Sequence, residues 1–196
     1  MKKGERRKRE LLEIAHKMFI SRGYENTSVE DIIEAAGIAK GTYYYYFESK
    51  EQTLEEVIGM MIDEEKAAAE QVLQLEIPVP QKIVGIIASL RPRQEEQPIE
   101  GALMRPENAM MHSRIKARIV ETVVPLLSEA VAEGVKEGVF SCDCIPERVR
   151  MLLIVSNGLF DAGQFTARDV AVFIDMTEKL LGAQPGTMGF IRELIR

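Results

Sequence analysis

Apolar residues recur at intervals of three and four along most of the chain, the spacing of amphipathic helices, and strand-like alternation is almost absent. Leu11, Ile14, Ala15, Met18 and Phe19 place a first helix over about 5–22, with Gly23 as its stop. Thr27-Ser28-Val29-Glu30 has the form of a capping box, in which the Thr27 hydroxyl accepts a backbone amide hydrogen and Glu30 reaches back. It opens a short second helix carrying Val29, Ile32, Ile33 and Ala36. Gly37 ends that helix and a third begins near Lys40, so two short helices flank a tight glycine turn, the layout of a helix-turn-helix. Ser49-Lys50-Glu51-Gln52 is a second capping box and starts a long fourth helix with Leu54, Val57, Ile58, Met61 and Ile62 on one side.

From Glu76 the pattern is interrupted. Pro78, Pro80, Pro92, Pro98 and Pro106 divide the chain, leaving a modest helix over about 81–90 and a polar loop over 91–98. Helical spacing resumes near Ile115, where Pro125 either kinks one long helix or sits in the first turn of a new one. Gly134 and Gly138 weaken and stop it before Phe140. Helices over about 146–163 and 168–181 and a short amphipathic tail at 190–195 complete an all-α fold of about nine to ten helices. The expected partition is a three-helix helix-turn-helix domain over 1–50 and a helical domain over 51–196.

With 196 residues, 46% hydrophobic, the chain has enough apolar material for one or two small cores. No apolar run approaches the roughly 18–20 residues of a membrane span. The basic start leads directly into an amphipathic pattern rather than a signal sequence, so a cytoplasmic protein with no membrane partner is expected. Net charge is −6, unevenly placed: through Arg22 the chain carries Lys2, Lys3, Arg6, Arg7, Lys8, Arg9, Lys17 and Arg22 against Glu5, Glu10 and Glu13. That asymmetry suggests a basic head that meets an anion, or else a solvated basic tail. Cys142 and Cys144 are too close for an ordinary disulfide and too few for a zinc site alone, and read as reduced thiols beside a turn, a redox or metal role being the alternative. No paired acid and base, nucleophile elbow, metal spacing or phosphate loop appears; neither catalytic residues, nor a metal site, nor a cofactor is expected.

Four of the five tyrosines fall in Gly41-Thr42-Tyr43-Tyr44-Tyr45-Tyr46-Phe47. At about 100° per residue they point all the way round a helix, so one buried stripe cannot hold them. Tyr43 and Phe47 share an inward face; Gly41, Tyr44 and Tyr45 lie together on the opposite side. Exposed aromatics mark a contact surface, and an exposed glycine lets a partner approach the backbone. Lys40 and Lys50 bracket this surface with positive charge, which fits phosphate oxygens better than a protein partner.

Ala15-His16-Lys17-Met18-Phe19, Gly23-Tyr24, Thr27 to Ile32, Ala35-Ala36-Gly37-Ile38 and Lys40 to Phe47 with Lys50-Glu51 together resemble the DNA-binding head of the tetracycline-repressor (TetR) family. The resemblance covers about the first fifty-five residues, and beyond them extends to helix layout and to Glu133-Gly134-Val135-Lys136-Glu137-Gly138-Val139-Phe140. It implies phosphate contacts from Thr27 and Ser28 and a recognition helix beginning at Lys40, Gly41 and Thr42. Tyr44 and Tyr45 match an aromatic pair that grips phosphates and base edges, Tyr46 stands where histidine or tyrosine is usual, and Lys50 matches a backbone-gripping lysine. Tyr43 replaces the usual leucine and needs a partner for its hydroxyl; Ala39 replaces a serine and leaves the site.

The resemblance further implies a homodimer that binds a palindromic double-stranded operator, a helical domain serving dimerisation and ligand binding, and release by an unknown small-molecule effector. The helices around 146–163 and 168–181, with Ser156, Gly158, Ala162 and Gly163, are the expected dimer seam, an ordinary intrachain core being the alternative. Met104, Met110, His112 and Phe160, with Met111 and Phe165, are candidates for an apolar effector cavity; each is otherwise a plain core or surface residue. A helical ligand-binding or adaptor protein without DNA activity is the rival reading.

Overall fold

The computed structural model describes residues 3–91, 93–160 and 165–194. Lys2, Pro92, Ala162 and Gly163, as well as Ile195 at the end of the expected tail, lie outside the described residues. Among those described, the chain forms ten α-helices and no strand. They are α1 (Lys3–Arg22), α2 (Val29–Ala36), α3 (Lys40–Tyr46), α4 (Lys50–Leu73), α5 (Val79–Ser89), α6 (Gln97–Leu103), α7 (Ala109–Lys136), α8 (Ile145–Phe160), α9 (Ala167–Leu181) and α10 (Ile191–Leu194). The all-α expectation is met.

Two local departures have clear causes. The stretch expected as a polar loop contains a 3-10 turn at Gln94–Glu96 and then α6, because Pro98 occupies the first turn of that helix, where its missing N–H costs nothing. A second 3-10 turn, Pro106–Asn108, leads into α7 six residues before the expected start; the buried Asn108 amide donates to the Ala102 carbonyl at 2.8 Å and holds the end of α6. Pro125 lies inside α7, which continues through it as one helix.

The helices pack into two compact units, one formed by 1–64 with 92–117 and the other by 65–91 with 118–196. These units follow packing and not the functional partition at residue 50, which remains a proposal. In the first, Leu11, Ala15 and Phe19 of α1, Ile32 of α2, Tyr43 and Phe47, Leu54 and Val57 of α4, and Ile99 of α6 form one core. In the second, Val79, Ile83 and Ile86 of α5 pack with Ala130 and Val131 of α7, Val149 of α8, and Phe173 and Leu181 of α9. Here the Lys82 ammonium, 4% exposed, lies 2.6 and 2.7 Å from the two oxygens of Glu133, which supply the charge and acceptors its burial requires.

Candidate nucleic-acid interface and effector cavity

The turn that carries the recognition helix is held by local hydrogen bonds. Ser28, not Thr27, is the N-cap of α2: its Oγ accepts from the Asp31 amide at 3.0 Å, and the Ser28 amide donates back to Asp31 Oδ2 at 2.7 Å. The capping box is therefore shifted by one residue from the expected Thr27–Glu30 pair. The Ser28 hydroxyl also donates to Asp31 Oδ2 at 2.6 Å, and this bond, followed by the one from the Ser28 amide, favours the ionised carboxylate and holds the Asp31 carboxyl below its ordinary value. Thr27 is fully buried and its hydroxyl donates to the Gly23 carbonyl at 2.9 Å, so it drops out of the phosphate-contact set and serves instead to fix the loop. Gly37 adopts the left-handed conformation, φ 61°, and with Ile38 returns two amides to the carbonyls of Glu34 and Ile33, ending α2 sharply before α3.

On α3 the helical-wheel assignment holds. Tyr43 and Phe47 are buried, while Tyr44 is 46% and Tyr45 81% exposed. The Tyr43 hydroxyl finds its partner in Thr53 of α4 at 2.6 Å, and Thr53 in turn donates to the Ser49 carbonyl at 3.1 Å, so a phenol sits where an aliphatic side chain is usual without an orphaned oxygen. Burial raises the Tyr43 pKa, which keeps the phenol protonated as a donor. Tyr44 stands edge-on to Tyr43 at 5.3 Å, and Tyr45 edge-on to Tyr46 at 4.9 Å, so the anchored rings orient the exposed ones. Tyr46 is half-buried. Gly41 is exposed, and a methyl group placed on it would meet nothing within 4 Å.

The charges are arranged differently from the basic head read in the sequence. Arg6 and Arg7 pair with Glu10, Lys8 with Glu56, and Arg9 with both Glu13 and Glu64. Lys40 Nζ lies 3.0 Å from Glu30 Oε1 across the turn, both side chains exposed. The Lys50 ammonium donates to the Tyr24 carbonyl at 2.8 Å and lies 4.1 Å from the Tyr24 ring centroid, so it braces the α1–α2 loop while keeping donors to spare. Glu30 had been read only as part of a cap, and its pairing with Lys40 depends on the turn bringing α2 and α3 together.

The second unit encloses a cavity of about 370 Å³ lined from five helices and the segments beside them. Phe160 lines it, as does Phe165. The other four expected pocket residues do not: Met104 and Met110 are 56% and 78% exposed, His112 is half-buried, Met111 is buried in the first core, and all four belong to the first unit. Missed were Ile83, Ile87 and Arg91 at four-residue steps on and just beyond α5, and Phe173, Thr177 and Leu181 at the same step on α9. Such stripes are visible in sequence, but there they read as solid core. On α8 and α9, Met151, Ile154, Val155 and Val172 are exposed, and Gly158 has open space around it.

Comparison with known proteins places this geometry. Residues 11–57 match the family model described as bacterial regulatory proteins, tetR family. The HTH-type transcriptional repressor KstR2 of Mycolicibacterium smegmatis is 31% identical over 136 residues, 65% of this chain and 66% of that protein, just under two thirds of its length. The chain belongs to the TetR family of transcriptional regulators. KstR2 of Rhodococcus jostii is 43% identical over 58 residues, 30% of this chain and 28% of that one. A TetR-family structure from Mesorhizobium loti superposes with a TM-score of 0.60 at 19% identity, covering 93% of this chain and 96% of the other, a likeness of fold. The matched residues span α2 and α3, the helix-turn-helix of this TetR regulator. No helix among its described residues is long and apolar enough to cross a membrane.

Proposed function

We propose that the protein is a cytoplasmic, ligand-responsive repressor that binds a palindromic operator as a homodimer and is released by a small molecule. The observation that carries the reading is α3: two tyrosines and an unshielded glycine face outward from a helix whose other side is pinned by Tyr43 and Phe47. On it we place Lys40, Gly41, Thr42, Tyr44, Tyr45 and Tyr46, with Ser28 before α2 and Lys50 at the start of α4, as the DNA contacts. The head is residues 1–50 and the remainder, 51–196, serves dimerisation and ligand binding. Each phenol hydroxyl that meets a phosphate, a charged acceptor, contributes about 1.5–3 kcal/mol.

Duplexes selected from a random pool supply the operator, and binding to them is expected to weaken steeply with salt. Tyr44→Phe and Lys50→Ala should each bind at least about tenfold more weakly, since hydrogen bonds to charged groups contribute about 1.5–3 kcal/mol. Undiminished binding by both variants, with melting temperatures unchanged, removes the assigned surface; no duplex binding at all favours the adaptor reading.

The exposed apolar side chains of α8 and α9 support their role as the dimer seam, and the open space at Gly158 allows close helix approach. Ile154→Ala is expected to raise the dimer dissociation constant about tenfold, from the apolar area lost at a twofold interface. Sedimentation equilibrium measures this, and an unchanged constant would place the seam elsewhere. Release follows if the effector prefers one arrangement of the helical domain over another, because only a differential affinity shifts the equilibrium. Chain continuity through α4, which begins at Lys50, is the route by which such a preference reaches the head.

A further inference from the structure

The cavity in the second unit has an uneven chemistry. Its walls are aliphatic and aromatic, with Leu181, Val131, Val149 and Met188 buried deepest. Its few polar groups are Arg91, Ser156 and Thr177. The Thr177 hydroxyl is already committed, donating to the Phe173 carbonyl of its own helix at 2.7 Å. Arg91 is the one charged side chain among the described residues of the lining; it is exposed, so it stands at the cavity rim, and no carboxylate among the described residues pairs with it. Two other arginines of this unit are matched, Arg148 to Asp143 at 2.7 Å and Arg150 to Glu121 at 2.6 Å, whereas Arg168 and Arg192 are exposed and, like Arg91, pair with no carboxylate among the described residues, but neither of them lines the cavity. A guanidinium is a planar fork of donors suited to a carboxylate, and beside a low-dielectric wall its attraction for an anion is stronger than in open water.

We propose that the effector is an apolar monocarboxylate, its hydrocarbon body enclosed by the cavity and its carboxylate paired with Arg91 at the rim. This rests on the cavity being the effector site and adds the chemical class of its occupant. A volume near 370 Å³ lies toward the small end of ligand cavities, about 300–1,000 Å³, and suits one medium-length chain or compact ring system better than a large conjugate held entirely inside. The apolar walls supply affinity without regard to charge, and Arg91 supplies the preference for acid over neutral analogue.

Isothermal titration of the full-length protein with dodecanoate and with 1-dodecanol, at concentrations below micelle formation and without DNA, separates the two contributions. Dodecanoate is expected to bind about ten- to hundredfold more tightly than the alcohol. Arg91→Gln should abolish that preference by weakening dodecanoate alone, and Arg91→Lys should retain most of it. Arg91 has no side-chain partner among the described residues to lose, and Ser156→Leu, which fills the cavity, should weaken both probes together. Equal binding of acid and alcohol, or an acid preference that survives Arg91→Gln, overturns the carboxylate assignment while leaving the cavity as a ligand site. Binding of neither probe, or of both unchanged in Ser156→Leu, overturns it together with the cavity. The regulator reading is judged separately by operator binding of the unliganded protein.

Discussion

Replacing Gly182 with alanine is expected to cost the second unit about 3–5 kcal/mol, a large share of the roughly 5–15 kcal/mol that holds a typical domain folded. Gly182 ends α9 in the left-handed conformation, φ 63° and ψ 34°, and its amide and that of Ala183 close the last turn onto Lys179 and Glu178. A Cβ there would lie 2.2 Å from the Ser141 carbonyl oxygen and 2.8 Å from its carbon, and that backbone cannot yield easily because the Ser141 amide donates to the Leu181 carbonyl at 3.0 Å. Gly37→Ala is the internal control. It has nearly the same φ, 61°, but nothing within 4 Å of the added methyl, so it should lose only about 1 kcal/mol, the conformational part alone. Urea unfolding of both variants measures the two costs; similar losses would mean that the Ser141 contact relaxes freely.

Gly41→Ala should move stability and DNA affinity in opposite directions. Alanine inside an exposed helix is favoured over glycine by about 0.5–1 kcal/mol, and the free protein has room for the methyl, so the variant is expected to melt at a higher temperature. In the proposed operator complex the same methyl would stand between the α3 backbone and the DNA, and overpacking of about 1–3 kcal/mol predicts binding roughly ten- to hundredfold weaker. Thermal melting and operator titration of one preparation test both halves. A stabilised variant with full affinity would show that the DNA approaches α3 elsewhere, along Tyr45 for example, and not over Gly41.

The head was readable because its information is local. The order of α1 to α4, the glycine stops and the division of the tyrosines into buried and exposed pairs all follow from spacing within a few turns. Where the reading slipped, two neighbours competed for one role: Thr27 and Ser28 both have capping hydroxyls, and only the folded loop shows that Thr27 points into the core toward Gly23 while Ser28 is free to cap. The cavity was scarcely readable. Its lining comes from helices far apart in the chain, and a stripe such as Phe173, Thr177 and Leu181 has the same appearance whether it faces another side chain or a void. The methionines and His112 attracted attention by residue type, yet Met104 and Met110 face solvent and Met111 is core. α6 was hidden for a third reason, since proline opens a helix as readily as it breaks one.

The internal pairing of Arg6, Arg7, Lys8 and Arg9 bears on how such a protein finds its target. A cation that must first leave a carboxylate gains less from an arbitrary stretch of phosphates, so these residues add little to residence on random duplex. Against the roughly 10⁶–10⁹ wrong sites of a genome, a short dwell on each leaves more molecules free to sample the next. On the proposed reading its search is therefore short at each wrong site, and occupancy is decided where the tyrosine face fits.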